Sequence, residues 1–347
     1  MISNMFKVLK ALSYIFFILK MKYILLGGCG YFGYNFRKYL MKYEGADEDD
    51  IIIFDKFTTI KGLTFEAVDL SEFDATYKVC QILKDKNFLK NKDEIINVIN
   101  FAAVSFVDTS LIEDVENYRN NLNIILSFIE LVRILHDNFT NVKALHISTD
   151  EVCNKYEKCI ENRSAYSVGK DLGESIILNT LNDVIILRPS NLFGCIEYSF
   201  EYIQRNPCVI KNLINHIYDI HVTDTISRRF MHIMYACEIV NSLLKGKSTK
   251  VDEIRENVYI TLSDDEIKIA DLIRYVAMQD AKEFIYLPDN RGKKQDNDYN
   301  VYYKEYMHAR CEMYQKINWN YFNLSDIYKD IIKQRLALEL HEHKQQE

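Results

Sequence analysis

Lys22-Tyr-Ile-Leu-Leu26-Gly27-Gly28-Cys29-Gly30-Tyr31-Phe32-Gly33 is an apolar run that breaks into closely spaced glycines. The run reads as a buried strand, and the residues after it, to about Tyr43, read as a helix. Gly27, Gly30 and Gly33 stand three apart, and Gly28, Gly30 and Gly33 form a second pattern, G-x-G-x-x-G. Without a Cβ, glycine turns tightly and lets a phosphate approach the backbone at a helix N-terminus. The stretch is either a plain strand-to-helix turn or a dinucleotide site. The strand before it and the helix after it favour the dinucleotide.

Working outward, Ile51-Ile-Ile-Phe54 is the next strand and ends at Asp55, about 20 residues beyond the last glycine, with Lys56 beside it. A carboxylate there hydrogen-bonds ribose hydroxyls and repels a 2′-phosphate, so NAD is expected rather than NADP; the plainer role is a turn cap. A third short strand, Thr64 to Val68, leads to Asp69 and Leu70. Asp69 can meet an adenine amino group or cap a helix, and the sequence does not choose. Ile95 to Asn100 forms the fourth strand and runs into Phe101, Ala102 and Ala103, small enough to let a cofactor pass close to the backbone. A long helical pattern follows, Ile112 to His136, with Asn120 and Asn121 near its middle.

The fifth strand, Val142 to Ile147, leads to Ser148-Thr149-Asp150-Glu151-Val152, and a helix after it carries Tyr166-Ser-Val-Gly-Lys170. Two carboxylates at the carboxyl end of a strand sit where open α/β sheets hold their chemistry. Tyr166 and Lys170 are four apart and share a helix face, so the ammonium can draw the phenol pKa down from about 10. A fall of about 3 units needs about 4 kcal/mol in favour of the phenolate. Spacing alone is weak, because Tyr34 and Lys38 repeat it. Val184 to Leu187 is the sixth strand and ends in Arg188-Pro-Ser-Asn191-Leu-Phe-Gly194.

Together these elements predict an α/β protein with a Rossmann-type, doubly wound parallel sheet over residues 21–190. A seventh strand at Asn257 to Thr261 extends it. Residues 191–347 are expected to form mainly a smaller α/β substrate lobe, with Arg228 and Arg229 as candidates for a phosphate. At 347 residues and 48% hydrophobic, the chain has enough apolar mass for two lobes. Its net charge of -7 and dispersed basic residues argue against nucleic acid as a partner. Eight cysteines without a C-x-x-C point to a reducing, cytoplasmic setting, and no metal motif is present. Residues 1–20 contain an apolar run, Ala11 to Leu19, too short to span a bilayer. It is a signal peptide, an interfacial anchor, or simply upstream of a functional start at Met21, the reading we favour, under which no membrane role is expected.

The glycine loop, Ala102-Ala-Val-Ser105-Phe-Val-Asp-Thr-Ser110 and Ser148-Thr-Asp-Glu-Val152 with Tyr166 and Lys170 resemble the extended short-chain dehydrogenase/reductases, and within them the dTDP-glucose 4,6-dehydratases. The resemblance implies NAD contacts at Gly27, Gly30, Tyr31, Phe32, Gly33, Asp55, Lys56, Asp69 and Leu70. It extends them through Phe101, Ala102, Ala103, Ser105, Asn120, Tyr166 and Lys170. It implies substrate contacts at Ser105, Thr149, Asn191 and Arg228, and catalysis by Thr149, Asp150, Glu151, Tyr166 and Lys170. The implied substrate is dTDP-glucose or UDP-glucose and the implied assembly a homodimer. In the implied reaction Tyr166 deprotonates the C4 hydroxyl while hydride passes to NAD. Glu151 then removes the C5 proton, Asp150 protonates the leaving C6 hydroxyl, and hydride returns to C6. Competing expectations are a sugar-nucleotide 4-epimerase or decarboxylase, or a catalytically weakened binding protein. Leu26, Val104, Phe106 and Leu192 depart from the residues usual in the family.

Overall fold

The computed structural model describes residues 21–58, 60–104, 114–150, 152, 165–197, 208–215, 227–246, 252–255, 257–260, 266–280 and 324–346. Residues 1–20, Ser105, Phe106 and Glu151 lie outside the described residues. The central sheet is built from β1 (Met21–Leu26), β2 (Ile51–Asp55), β3 (Glu66–Ala67), β4 (Ile95–Asn100), β5 (Asn141–Ile147) and β6 (Val184–Arg188). Two later strands join it, β9 (Asp252–Arg255) and β10 (Val258–Ile260), in the order β3-β2-β1-β4-β5-β6-β10-β9. Every pair is parallel except β10 with the edge strand β9. This is a doubly wound Rossmann-like fold whose order reverses between β1 and β4, where such sheets open a crevice for ligands.

Alternation along β1 divides the core. Ile24 and Leu26 join one buried cluster and Tyr23 and Leu25 the other, because successive side chains leave a strand on opposite faces. Helices α1 (Tyr31–Tyr43) and α6 (Ile233–Leu244) cover the second face, where Phe36 and Leu40 of α1 are fully buried. Helices α2 (Ala75–Asp85), α3 (Asp114–Asn138) and α4 (Ala165–Thr180) cover the first, with Phe128 of α3 at its centre. Burying one such phenylalanine is worth about 2–3 kcal/mol, so the helix pairing follows from apolar stripes at i, i+3 and i+4. The third strand shrinks to two residues, shorter than its apolar pattern predicts. It is an edge, and Ala67 is exposed there.

A second, three-stranded sheet runs β11 (Glu266–Lys268), β8 (Ser227–His232), β7 (Asn191–Phe193). It packs with α5 (Cys208–Ile214), α7 (Ile269–Gln279) and α8 (Leu324–Gln346) around Phe193, Phe230, Leu272 and Ile331. Arg335 of α8 ties this cluster together, binding both Asp280 carboxylate oxygens at 2.8 Å. Among the described residues no helix is long and apolar enough to cross a membrane.

Candidate active site

Gly27 ends β1 with φ +73°, and a Cβ there would stand 2.5 Å from Ala102 Cα. The glycine turn therefore presses directly on the chain leaving β4, at the point where the strand order reverses. Gly33 closes the other side, since a Cβ on it would come within 2.6 Å of Gly28 Cα. Gly30 is the N-cap of α1 and brings no side-chain hydrogen bond to that helix end, the end at which an anion is favoured. Asp55, at the end of β2, accepts from Cys29 N–H at 2.9 Å and from Lys56 N–H at 2.8 Å. Its carboxylate is thereby fixed beside the turn. A helix N-terminus with no side-chain cap, glycines that no side chain can replace and an acid at the second strand end fit a dinucleotide.

Farther along the strand ends, Lys56 Nζ pairs with Asp69 at 2.6 Å, and Ser71 donates to the same carboxylate through N–H and hydroxyl. Burial raises the Asp69 pKa, but the bonds from Lys56 and Ser71 outweigh it and hold the carboxyl below its ordinary value. Leu70 is buried next to it. After β4, Phe101 packs on Phe32 with ring centroids 5.1 Å apart, and Ala102 and Ala103 are half-buried. Asn121 pins the loop by accepting from Val104 N–H at 2.9 Å and donating to its carbonyl. Asn120, one residue earlier on α3, is half-buried.

Thr149 and Asp150 are both buried at the carboxyl end of β5, with Thr149 Oγ1 donating to Asp150 Oδ1 at 3.4 Å. Backbone bonds from Ser148 N–H to the Leu187 carbonyl and from Asp150 N–H to the Pro189 carbonyl anchor this stretch on β6. Lys170 of α4 is buried and donates to the Ile147 carbonyl at 2.7 Å, while its Nζ lies 6.0 Å from the Tyr166 ring centroid. Tyr34 and Lys38 of α1 show the same 6.0 Å. Burial separates the two pairs: it lowers the Lys170 pKa to about 8, against an opposing pull from Glu174.

Two site neighbours escape the sequence reading. Glu174 is fully buried, binds Arg188 through both oxygens at 2.8 and 2.5 Å and accepts from Ser148 Oγ. The visible signal is the stripe Tyr166, Lys170, Glu174 at i, i+4 and i+8. His146, fully buried in β5, places Nδ1 3.1 Å from Asn100 Nδ2. Burial, and then the Lys170 charge, push its pKa well down, so the imidazole is neutral.

Asn191 and Arg228 fall on the small sheet. Asn191 of β7 is in register with Phe230 of β8, two residues beyond Arg228, and both side chains are half-buried. Among the described residues no cluster of three metal-binding side chains occurs.

Comparison with known proteins bears on this arrangement. The model of the NAD dependent epimerase/dehydratase family matches residues 23–251. An uncharacterised protein of Schizosaccharomyces pombe is 22% identical over 292 residues, 73% of this chain and 80% of the relative. The solved dTDP-glucose 4,6-dehydratase of Bacillus anthracis, in complex with NAD, is 18% identical with a TM-score of 0.60, over 92% of this chain and 98% of its own. UDP-glucose 4-epimerase of Thermotoga maritima, with UDP-glucose, is 16% identical with a TM-score of 0.64, over 92% and 100%. L-threonine dehydrogenase of Clostridium difficile is 14% identical with a TM-score of 0.64, over 91% and 98%. At these identities the solved structures share the fold, and the fold carries three different reactions.

Proposed function

Because the chain belongs to the NAD dependent epimerase/dehydratase family, we propose that it converts a nucleoside-diphosphate glucose, dTDP-glucose or UDP-glucose, to the 4-keto-6-deoxy sugar nucleotide by loss of water. NAD is the cofactor. It is held by the α1 N-terminus, Asp55, and the strand-end residues as far as Lys170. Bound there, it supplies oxidising power at C4 that is given back at C6, so the reaction has no net redox change. The observation that carries the reading is a buried carboxyl, Asp150, just past the end of β5, the strand whose Ile147 carbonyl accepts from Lys170 of α4.

The residues divide the work by chemistry. Tyr166 takes the C4 hydroxyl proton, and the Lys170 ammonium stabilises the phenolate that begins the cycle. A ketone at C4 makes the C5 proton acidic; Glu151 removes it and gives it back to C5 when hydride reaches C6. Asp150 donates a proton to the departing C6 hydroxyl, and Thr149 orients that carboxyl. Two acids with opposite tasks are needed because base and leaving-group acid act on adjacent carbons. Asn191 and Arg228 bind the nucleotide part, Arg228 as a forked donor to phosphate. The protein is a cytoplasmic homodimer in this reading, joined through α3 and α4.

Incubation of the purified protein with dTDP-glucose and UDP-glucose tests the proposal. A 4-keto-6-deoxy product from either supports it. A sugar inverted at C4 would replace dehydration by epimerisation, and substrate that binds but is recovered unchanged would leave only a binding protein.

A further inference from the structure

Asn100 and His146 are register partners near the ends of β4 and β5, and both are fully buried. Two bonds fix how they face each other. Ala102 N–H lies beyond β4 and donates to Asn100 Oδ1 at 3.0 Å; an amide hydrogen can only donate, so the carbonyl side of the Asn100 amide points at Ala102. The NH2 side then points at His146 Nδ1, 3.1 Å away, and that nitrogen must accept. The imidazole proton is therefore on Nε2. Burial, and then the Lys170 charge, keep a second proton off the ring. Ile186, the register partner of His146 on β6, and the Phe128 ring of α3, 6.1 Å away between centroids, are uncharged neighbours. Among the described residues the buried Nε2 has no hydrogen-bond partner. An unmade bond of that kind costs about 1–3 kcal/mol, which a leucine in the same place would avoid. What the imidazole offers that leucine does not is the acceptor at Nδ1.

That acceptor leads, through Asn100, to the dinucleotide turn. Phe101 N–H donates to the Leu26 carbonyl at 2.8 Å, and the next residue, Ala102, is the one on which Gly27 presses, with 2.5 Å between its Cα and a Cβ built on Gly27. Contact stops Ala102 from moving towards Gly27, and the bond to Asn100 Oδ1 restrains its amide from turning away. Without an acceptor at position 146 the Asn100 NH2 group would be stranded, and rotating the amide to find another partner would release Ala102. We propose that His146 is a positioning residue for the dinucleotide site, which as its Nε2–H tautomer locks the Asn100 amide and so fixes the Ala102 backbone against the glycine turn. His146 acts through Asn100 and not on the reacting atoms. The inference rests on NAD at that turn and is independent of the sugar and of the reaction.

NMR of protein isotope-labelled at both histidine ring nitrogens tests the tautomer, the His146 signals being those lost in His146→Asn. A proton on Nε2 alone is expected. A proton on Nδ1 of the native protein would overturn the proposal, because that nitrogen could not then accept from Asn100. Equilibrium dialysis with labelled NAD tests the consequence. His146→Leu has no acceptor and should weaken NAD binding about five- to tenfold, the equivalent of one buried hydrogen bond. His146→Asn carries Oδ1 where Nδ1 stood and should bind within about twofold of the native protein, a rescue that a purely structural role would not give. Asn100→Asp decides the matter if His146→Leu fails to fold. It keeps an acceptor for Ala102 N–H and turns a carboxylate oxygen to Nδ1, so a proton should appear there; ring signals unchanged from native would show the two side chains uncoupled and overturn the proposal. NAD bound equally by the native protein and His146→Leu would overturn the positioning role and leave the cofactor assignment standing. A native protein that binds no NAD would overturn both.

Discussion

At Lys170 burial and a neighbouring carboxylate act in opposite directions, and the outcome sets a pH window. Burial depresses the ammonium to about 8 while Glu174 supports it. Below about pH 8 the ammonium can stabilise the Tyr166 phenolate; above it the neutral amine cannot. The kcat/KM profile should therefore lose activity along a one-proton alkaline limb near pH 8, and Tyr166→Phe should abolish the first step at every pH. The stability consequence has the opposite sense. Between about pH 8 and 10.5 the unfolded chain holds a proton at this lysine that the folded protein does not, so stability rises with pH across that window. The gain is on the order of 3 kcal/mol. Urea unfolding of Lys170→Met should lack this rise; an identical pH dependence in wild type and variant would refute the assignment.

The acids and the cofactor carboxylate have separate tests. Asp150→Asn should slow departure of the C6 hydroxyl by about 10² to 10⁴. Glu151→Gln should still allow oxidation at C4 and should halt elimination, so that reduced nicotinamide accumulates on mixing with substrate. Full turnover by Glu151→Gln would make the triplet structural. Asp55 is already fixed beside the glycine turn by Cys29 N–H. NAD should bind far better than NADP to the native protein, and Asp55→Ala should narrow the gap in a direct binding titration. Equal native affinities would remove Asp55 from the ribose.

Among the elements, the junction of α4 with the ends of β5 and β6 depends on one carboxylate. Glu174 joins Ser148, Arg188 and the Lys170 face without exposure to water. Breaking a buried pair strands its partner's charge, so Arg188→Met should cost about 3–5 kcal/mol in urea unfolding. Replacing both, Glu174→Leu with Arg188→Met, should cost much less, because no charge is left buried alone. A loss below about 1 kcal/mol for the single variant would show that water already reaches the pair.

For the molecule as a whole, α3 and α4 pack together and leave apolar side chains facing outward. Val115, Leu126 and Ile134 of α3 are 65%, 46% and 41% exposed, and Leu172 of α4 is 43% exposed. At 100° per residue the three on α3 fall within an arc of about 100°. An isologous contact between two copies would bury this stripe in a four-helix arrangement. Sedimentation at micromolar concentration should give a dimer, and Leu126→Glu a monomer. A native monomer would remove the dimer from the proposal.

The order of strands and helices was legible because it is written in local spacing. Apolar runs bounded by glycine or acid mark β1, β2, β4, β5 and β6 to within a residue or so, and the four-residue step from Tyr166 to Lys170 marks one helix face. Tertiary packing decided the rest. Asn121 reaches Val104 because α3 meets the β4 loop at one rotation about its axis and no other. Arg188 finds Glu174, and Tyr31 finds Gly194 across 163 positions, only when the sheet brings those strand and helix ends together. Local sequence determined which elements form and which residues share a face. Which faces meet is set by burial across the whole chain, and contacts between distant residues leave no periodic trace in the sequence.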